Sequence, residues 1–171
     1  MKQNYFLMFL LILGVQLLIC NYLHITAYLT LSLLPCAILL LPTKVGTTAS
    51  MLIAFASGLT VDVLAEGVVG LNALALVPVA GARRWICDTF FGKEISLTGE
   101  DVSMMKYGLG KMAFVLAIAQ SIFLLIYIWA DGSAARPLMF NFLRFILSLL
   151  TGTILSLVTA NLLDPNERNR R

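Results

Sequence analysis

The chain has 171 residues, 60% hydrophobic and 12% charged, with a mean hydropathy of +0.92 and a formal net charge of +3. Soluble domains carry about 25% charged residues, so this composition excludes an ordinary water-soluble domain and makes hydrocarbon the expected solvent. The bases flank the apolar runs and form no separate stripe, which argues against nucleic-acid binding.

Between Lys2 and Lys44 there is no Lys, Arg, Asp or Glu, so the run carries no formal charge apart from a proton on His24. A bilayer needs about 20 apolar residues per crossing, so this run crosses, turns and returns. The first span is predicted over 4–22. It is read as retained, because no small-residue cleavage site follows it. A polar turn over 21–27 contains His24, the single histidine, which is read as interfacial. The second span covers 28–41, and Pro35 within it is expected to kink or break the helix.

The third span, 45–61, stops at Asp62. The fourth, 67–82, stops at Arg83 and Arg84. At 1.5 Å per residue each reaches only about 24–26 Å, a shortfall that local thinning of the bilayer absorbs. A polar connection over 83–106 carries four bases and four acids. Trp85, Ile86 and Phe90 in it suit a short interfacial helix, and Thr98-Gly99-Glu100-Asp101 reads as a helix cap. The fifth span covers 107–130, Asp131-Gly132-Ser133 forms a turn, and the sixth covers 138–163, followed by a polar tail over 164–171.

This is an all-α architecture, a polytopic membrane protein with six helices in one bundle. It places Lys2, Lys44, Arg83, Arg84, Lys93, Lys106, Lys111, Arg168, Arg170 and Arg171 on one side. Only Arg136 lies in an opposite loop, and Arg144 lies within the sixth span. The positive-inside rule then makes both termini cytoplasmic.

Chemistry-bearing residues are few. Asp62 either ends the third span at the interface or holds a partner inside the bundle, as ionisable groups in membranes tend to. Glu66 reads as an interfacial carboxylate. Arg144 lies about 9 Å inside the sixth span at 1.5 Å per residue. It either snorkels to the outer interface or pairs with Asp62. Ser148, Gly152, Ser156 and Ala160 follow it at four-residue steps, a small-residue stripe for close helix packing. The stripe serves this bundle or the single span of another protein. Gln16, Asn72, Gln120 and Asn141 suit interhelical hydrogen bonds worth about 0.6 kcal/mol each. Cys20 and Cys36 in apolar runs, and Cys87 in the polar connection, make no disulfide framework or zinc spacing. No catalytic triad, HExxH or phosphate loop is present, and no cofactor is expected.

The stretch Gly58-Leu59-Thr60-Val61-Asp62, followed by Gly70-Leu71-Asn72-Ala73-Leu74, resembles the signature of the MreD family of rod shape-determining membrane proteins. In that family a Gly-Leu-x-x-Asp stretch ends one span and a Gly-Leu-x-Ala-Leu stretch opens the next. The length, the six spans and the polar loop after the fourth agree; the sequence likeness itself covers about 58–76. The resemblance implies a bacterial inner-membrane protein of cell elongation and peptidoglycan synthesis. Its partners would be a bitopic MreC-like protein, the elongation polymerase and transpeptidase, and the actin-like MreB filament. It also implies a fold similar to the substrate-binding subunits of energy-coupling-factor vitamin transporters.

The expected function is therefore that of a non-enzymatic membrane scaffold. The alternative is a small-molecule binder of the energy-coupling-factor type, which shares the topology but needs a pocket with converging polar groups. An intramembrane enzyme would have only Asp62 and Glu66 to work with, which is too little support for acid–base chemistry.

Overall fold

The structure is a computed structural model and describes residues 5–22, 29–66, 68–92, 107–131 and 137–162. Among these there are six α-helices and no strand: α1 Tyr5–Tyr22, α2 Leu34–Leu39, α3 Thr47–Val61, α4 Leu71–Phe91, α5 Leu109–Ala130 and α6 Leu138–Leu162. A π-helical turn, Asp62–Glu66, extends α3. The predicted turn with His24, the cap signal at Thr98 and the C-terminal tail lie outside the described residues.

Among the described residues three segments are long and apolar enough to cross a membrane: Thr47–Ala65, Leu109–Ala130 and Leu138–Leu162. The distribution of side chains agrees with that solvent. Leu52, Phe55, Leu125, Phe142, Leu150 and Ile154 face outward, while Gln16, Ser50, Asp62, Asn72, Arg83, Gln120, Arg144, Ser148 and Ser156 are buried. Burying polar groups under an apolar exterior is costly in water and is what a lipid-facing bundle requires.

The helices α3 and α4 form the most extensive pair, and α5 joins α4 to α6. Between them sits α2, which touches α1, α3, α4 and α5 and buries all six of its residues. This is where the predicted second span departs from a helix over 28–41. Residues 29–33 are not helical, and α2 begins only at Leu34, with Pro35 in its first turn. Proline has no N–H to give up there and its fixed φ suits a helix start.

Non-helical backbone inside a membrane protein must find partners, since each buried unpaired group costs about 1–3 kcal/mol. Here side chains from both flanking helices supply them. From α1, Gln16 accepts from the Leu33 amide at 2.7 Å and donates to the Leu31 carbonyl at 3.2 Å. From α6, Ser148 Oγ accepts from the Thr30 amide at 2.8 Å. Gln16, read from sequence as a helix-to-helix bond, instead bonds the non-helical backbone before α2.

The other end of α2 is held by Arg83. Its Nε reaches the Leu39 carbonyl at 3.4 Å, Nη2 donates to the Leu41 carbonyl, and Nη1 donates to Ser50 Oγ at 3.3 Å. A cation at a helix C-terminus also opposes the helix dipole favourably. The helix itself does not stop at Arg83 and Arg84, where the fourth span is expected to stop: α4 runs eight residues past Arg83 to Phe91, and Arg83 is buried inside the bundle. Trp85, Ile86 and Phe90 continue α4 and form no separate interfacial helix, and Cys87 is a buried residue of α4, not part of a loop. Arg84 alone behaves as a flanking charge, exposed and 3.9 Å from Asp88 one turn on.

Two predictions follow from these caps. Arg83→Lys, which keeps the charge but loses the planar fork, is expected to lower stability by about 1–3 kcal/mol, read as an earlier thermal melt in detergent. Gln16→Leu, which orphans the Leu31 carbonyl and Leu33 amide, is expected to cost about 2–3 kcal/mol by the same measurement. Gln120 provides the contrast. It is fully buried, but neither amide atom has a partner. Gln120→Met should therefore be neutral or stabilising, because it removes unsatisfied polar atoms without orphaning others.

Candidate functional site

One end of the bundle gathers the residues singled out by sequence. The stretch Gly58-Leu-Thr-Val-Asp62 closes α3, and Gly70-Leu-Asn72 opens α4. Gly58 sits where the two backbones meet. A Cβ built on it would lie 2.6 Å from both the Cα and the N of Ala73, and 2.9 Å from the Asn72 carbonyl carbon. Only a residue without a side chain allows this approach.

One turn further, the Asp62 carboxylate is fully buried and aimed at the start of α4. Its Oδ1 accepts from the Asn72 amide and the Asn72 Nδ2, both at 2.9 Å. Its Oδ2 accepts from the Gly70 amide at 3.0 Å and the Ala73 amide at 3.2 Å. The first amides of a helix have no intrahelical acceptor and present partial positive charge. An anion held there needs no cationic partner. Gly70 makes the geometry possible by adopting φ +97°, which is open to glycine and strained for other residues. The motif residues thus converge on one carboxylate. Leu71, which follows Gly70, is buried, and Leu59 is half-buried.

Arg144 lies at the same end of the bundle. It is buried on α6, on the same helix face as Ser148, Gly152, Ser156 and Ala160, which are the other buried residues of α6. That stripe faces α5 and α2 within this chain: Gly152 lies against the Gln120 side chain, and the Ser156 carbonyl accepts from Cys36 Sγ at 3.4 Å.

The Arg144 guanidinium has three partners. Nε donates to Thr30 Oγ1 at 3.0 Å, Nη1 pairs with Asp131 Oδ2 at 2.5 Å, and the Tyr127 ring centroid lies 5.7 Å away. The expected Asp62–Arg144 ion pair is therefore not formed. Asp62 uses both oxygens on the N-terminus of α4, and the acid that meets Arg144 is Asp131, at the C-terminal end of α5. Sequence reasoning assigned Asp131 only to a turn. The available signal was the α5–α6 hairpin itself, whose short connection brings an acid at the end of one helix near a base in the second turn of the next.

Between these two arrangements lies a partly open cavity of about 260 Å³. Arg144, Asp131, Tyr127 and Thr30 line one part of its wall, and Ile19, Leu31, Ala65, Val68 and Leu71 are among the residues lining the rest. The site offers a buried cation, a partly exposed anion and apolar walls. Among the described residues no group of His, Cys, Asp and Glu is arranged to hold a metal ion.

No family model, no curated protein and no solved structure matches the chain.

Proposed function

We propose that this protein is a non-enzymatic scaffold of the bacterial cell-elongation machinery, embedded in the inner membrane with six spans and both termini cytoplasmic. The supporting observation is the α3–α4 hairpin. The residues that resemble the MreD signature, Gly58, Leu59, Asp62, Gly70, Leu71 and Asn72, include those that fix the close approach and the cap of that hairpin. A scaffold needs rigid helix faces more than it needs reactive groups, and this motif supplies rigidity. In the six-span layout the second span is the segment 28–41 that Pro35 interrupts, and α1 and α4 complete the set.

Aromatic residues support the depth of insertion. Trp129 is exposed at one end of α5, and Tyr107 precedes its other end. The 22 residues of α5 span about 33 Å at 1.5 Å per residue, close to the thickness of a hydrocarbon core. Trp and Tyr favour its two interfaces. In this orientation Arg83 lies toward the cytoplasm and Arg144 toward the outer leaflet.

Depletion in a rod-shaped host tests the role. Loss of rod shape and of lateral wall insertion, together with co-purification of a bitopic partner and the elongation polymerase, is expected. Cells that keep their shape and their pattern of wall insertion would reject it.

A second reading, a substrate-binding subunit of an energy-coupling-factor transporter, draws on the cavity beside Arg144. Copurified vitamin and ATP-dependent uptake in the presence of an energising module would favour it.

A further inference from the structure

We propose that the seam between α5 and α6 holds a buried water molecule midway along α5, seated on Gln120, Gly152 and Ser156. Three observations carry this. First, Gln120 Nε2, Gln120 Oε1 and Ser156 Oγ are buried polar atoms without a partner. Both residues are 1% exposed. Gln120 lies eleven residues after Leu109 and ten before Ala130, the two ends of α5. Eleven residues are about 16 Å at 1.5 Å per residue, beyond the reach of a glutamine side chain to either end. Hydrocarbon offers no hydrogen bond at that depth, so an amide left to itself there is costly.

Second, the amide is aimed at the small-residue stripe of α6. From a Cβ built on Gly152, Gln120 Nε2 lies at 2.5 Å, Cδ at 3.1 Å and Cγ at 3.4 Å, so the side chain arrives end-on. Ser156 follows Gly152 on the same buried face, one helical turn or about 6 Å further along. That interval is too long for one hydrogen bond. It matches two of about 2.8 Å laid end to end through a shared oxygen. At this level α2 closes the seam, where Cys36 Sγ donates to the Ser156 carbonyl at 3.4 Å.

Third, the chemistry of the three atoms selects water. Nε2 donates, Oε1 accepts and the serine hydroxyl does either. A water accepts from Nε2, donates one hydrogen to Oε1 and gives the other to Ser156 Oγ. These are the roughly three hydrogen bonds that a buried water makes. An ion would meet no opposite charge, because the buried residues of α5, and those of α6 from Ser148 to Ala160, carry no charged side chain. Arg144, two turns back along the same face of α6, lines the partly open cavity, so water reaches the stripe from that end.

The test uses the full chain, isotope-labelled, in hydrated lipid bilayers. Solid-state nuclear magnetic resonance reads the transfer of polarisation from water protons to protein nitrogens. The Gln120 side-chain signal is assigned by its loss in Gln120→Met. It is expected to gain water polarisation several-fold faster than the backbone amides of Val115 and Ala119, two fully buried residues of the same helix. Ser156→Ala removes one of the three hydrogen bonds and should slow the transfer to Gln120 several-fold.

A Gln120 signal that builds up as slowly as those of Val115 and Ala119 would overturn the proposal. So would a Ser156→Ala variant with unchanged transfer, since the water would then be seated elsewhere. Gln120→Met removes the amide and the water together, so the neutral or raised melt expected for it above holds for an occupied seat as well. Occupancy is therefore read from the transfer and not from stability. The outcome is independent of the scaffold role, which is read from cell shape.

Discussion

Replacing Gly58 by alanine is expected to separate α3 from α4 and to give one of the largest single-residue losses in the molecule. The added methyl would meet backbone atoms of Ala73 at 2.6 Å, and backbone cannot rotate away as a long side chain can. Overpacking of a close-packed interior costs about 1–3 kcal/mol when side chains adjust, and more when they cannot. A loss of about 3 kcal/mol or greater is therefore expected, with Gly58→Val worse than Gly58→Ala. Gly14 supplies the control, since a Cβ there meets nothing within 4 Å. Gly14→Ala should leave the melt unchanged or slightly raised, because alanine is the better helix former by up to about 1 kcal/mol. Equal melts for Gly58→Ala and Gly14→Ala would reject the close approach.

Removing the Asp62 carboxylate has the second large effect. Asp62→Ala strands four donors, three of them backbone amides at the start of α4. Loss of a helix N-cap alone costs about 0.5–2 kcal/mol. Burial of the orphaned donors raises the expected loss to about 3–5 kcal/mol. Asp62→Asn should recover little, because one amide oxygen replaces two carboxylate oxygens and its NH2 faces an N–H group. Thermal melts of the purified variants read both. Exchanging the charges of Asp62 and Arg144 should restore nothing, since the two do not pair. A melt of Asp62→Ala within about 1 kcal/mol of the native chain would show that the cap contributes no more than an ordinary exposed one.

Much of this architecture is written in the order of residues. Uninterrupted apolar stretches give the helices, and Pro35 marks the break in the second apolar segment. Gly70 and Asp62 also announce themselves, as a turn residue and an acid between two apolar runs. Their roles do not. Asp62 looks like a partner for Arg144 because opposite charges at similar depth invite pairing. The structure instead gives it the amides of α4, which no charge pattern advertises.

Arg83 is the clearest case of information that sequence withholds. Two adjacent arginines after an apolar run read as a membrane flank, and Arg84 fits that reading. Arg83 points the other way, because the carbonyls it caps belong to a helix more than 40 residues earlier in the chain. Its partner groups are backbone, so they have no signature. Gln16 illustrates the same limit. Its polarity in an apolar helix signals a bond, but the partner is a non-helical backbone whose existence depends on Pro35 and on the fold around it. The pairing of Arg144 with Asp131 was closer to hand, since the two flank one helical hairpin.

The broken segment over 29–33 has a consequence for biogenesis. Its amides are answered from α1, already emerged when the segment leaves the ribosome, and from Ser148 on α6, synthesised more than 100 residues later. A stretch with unanswered peptide groups partitions poorly into lipid by itself. In the proposed six-span layout, insertion of this segment is therefore completed from the far end of the polypeptide. A chain arrested before α6 would present a half-inserted hairpin to membrane quality control, so the last helix acts as the latch on one of the first.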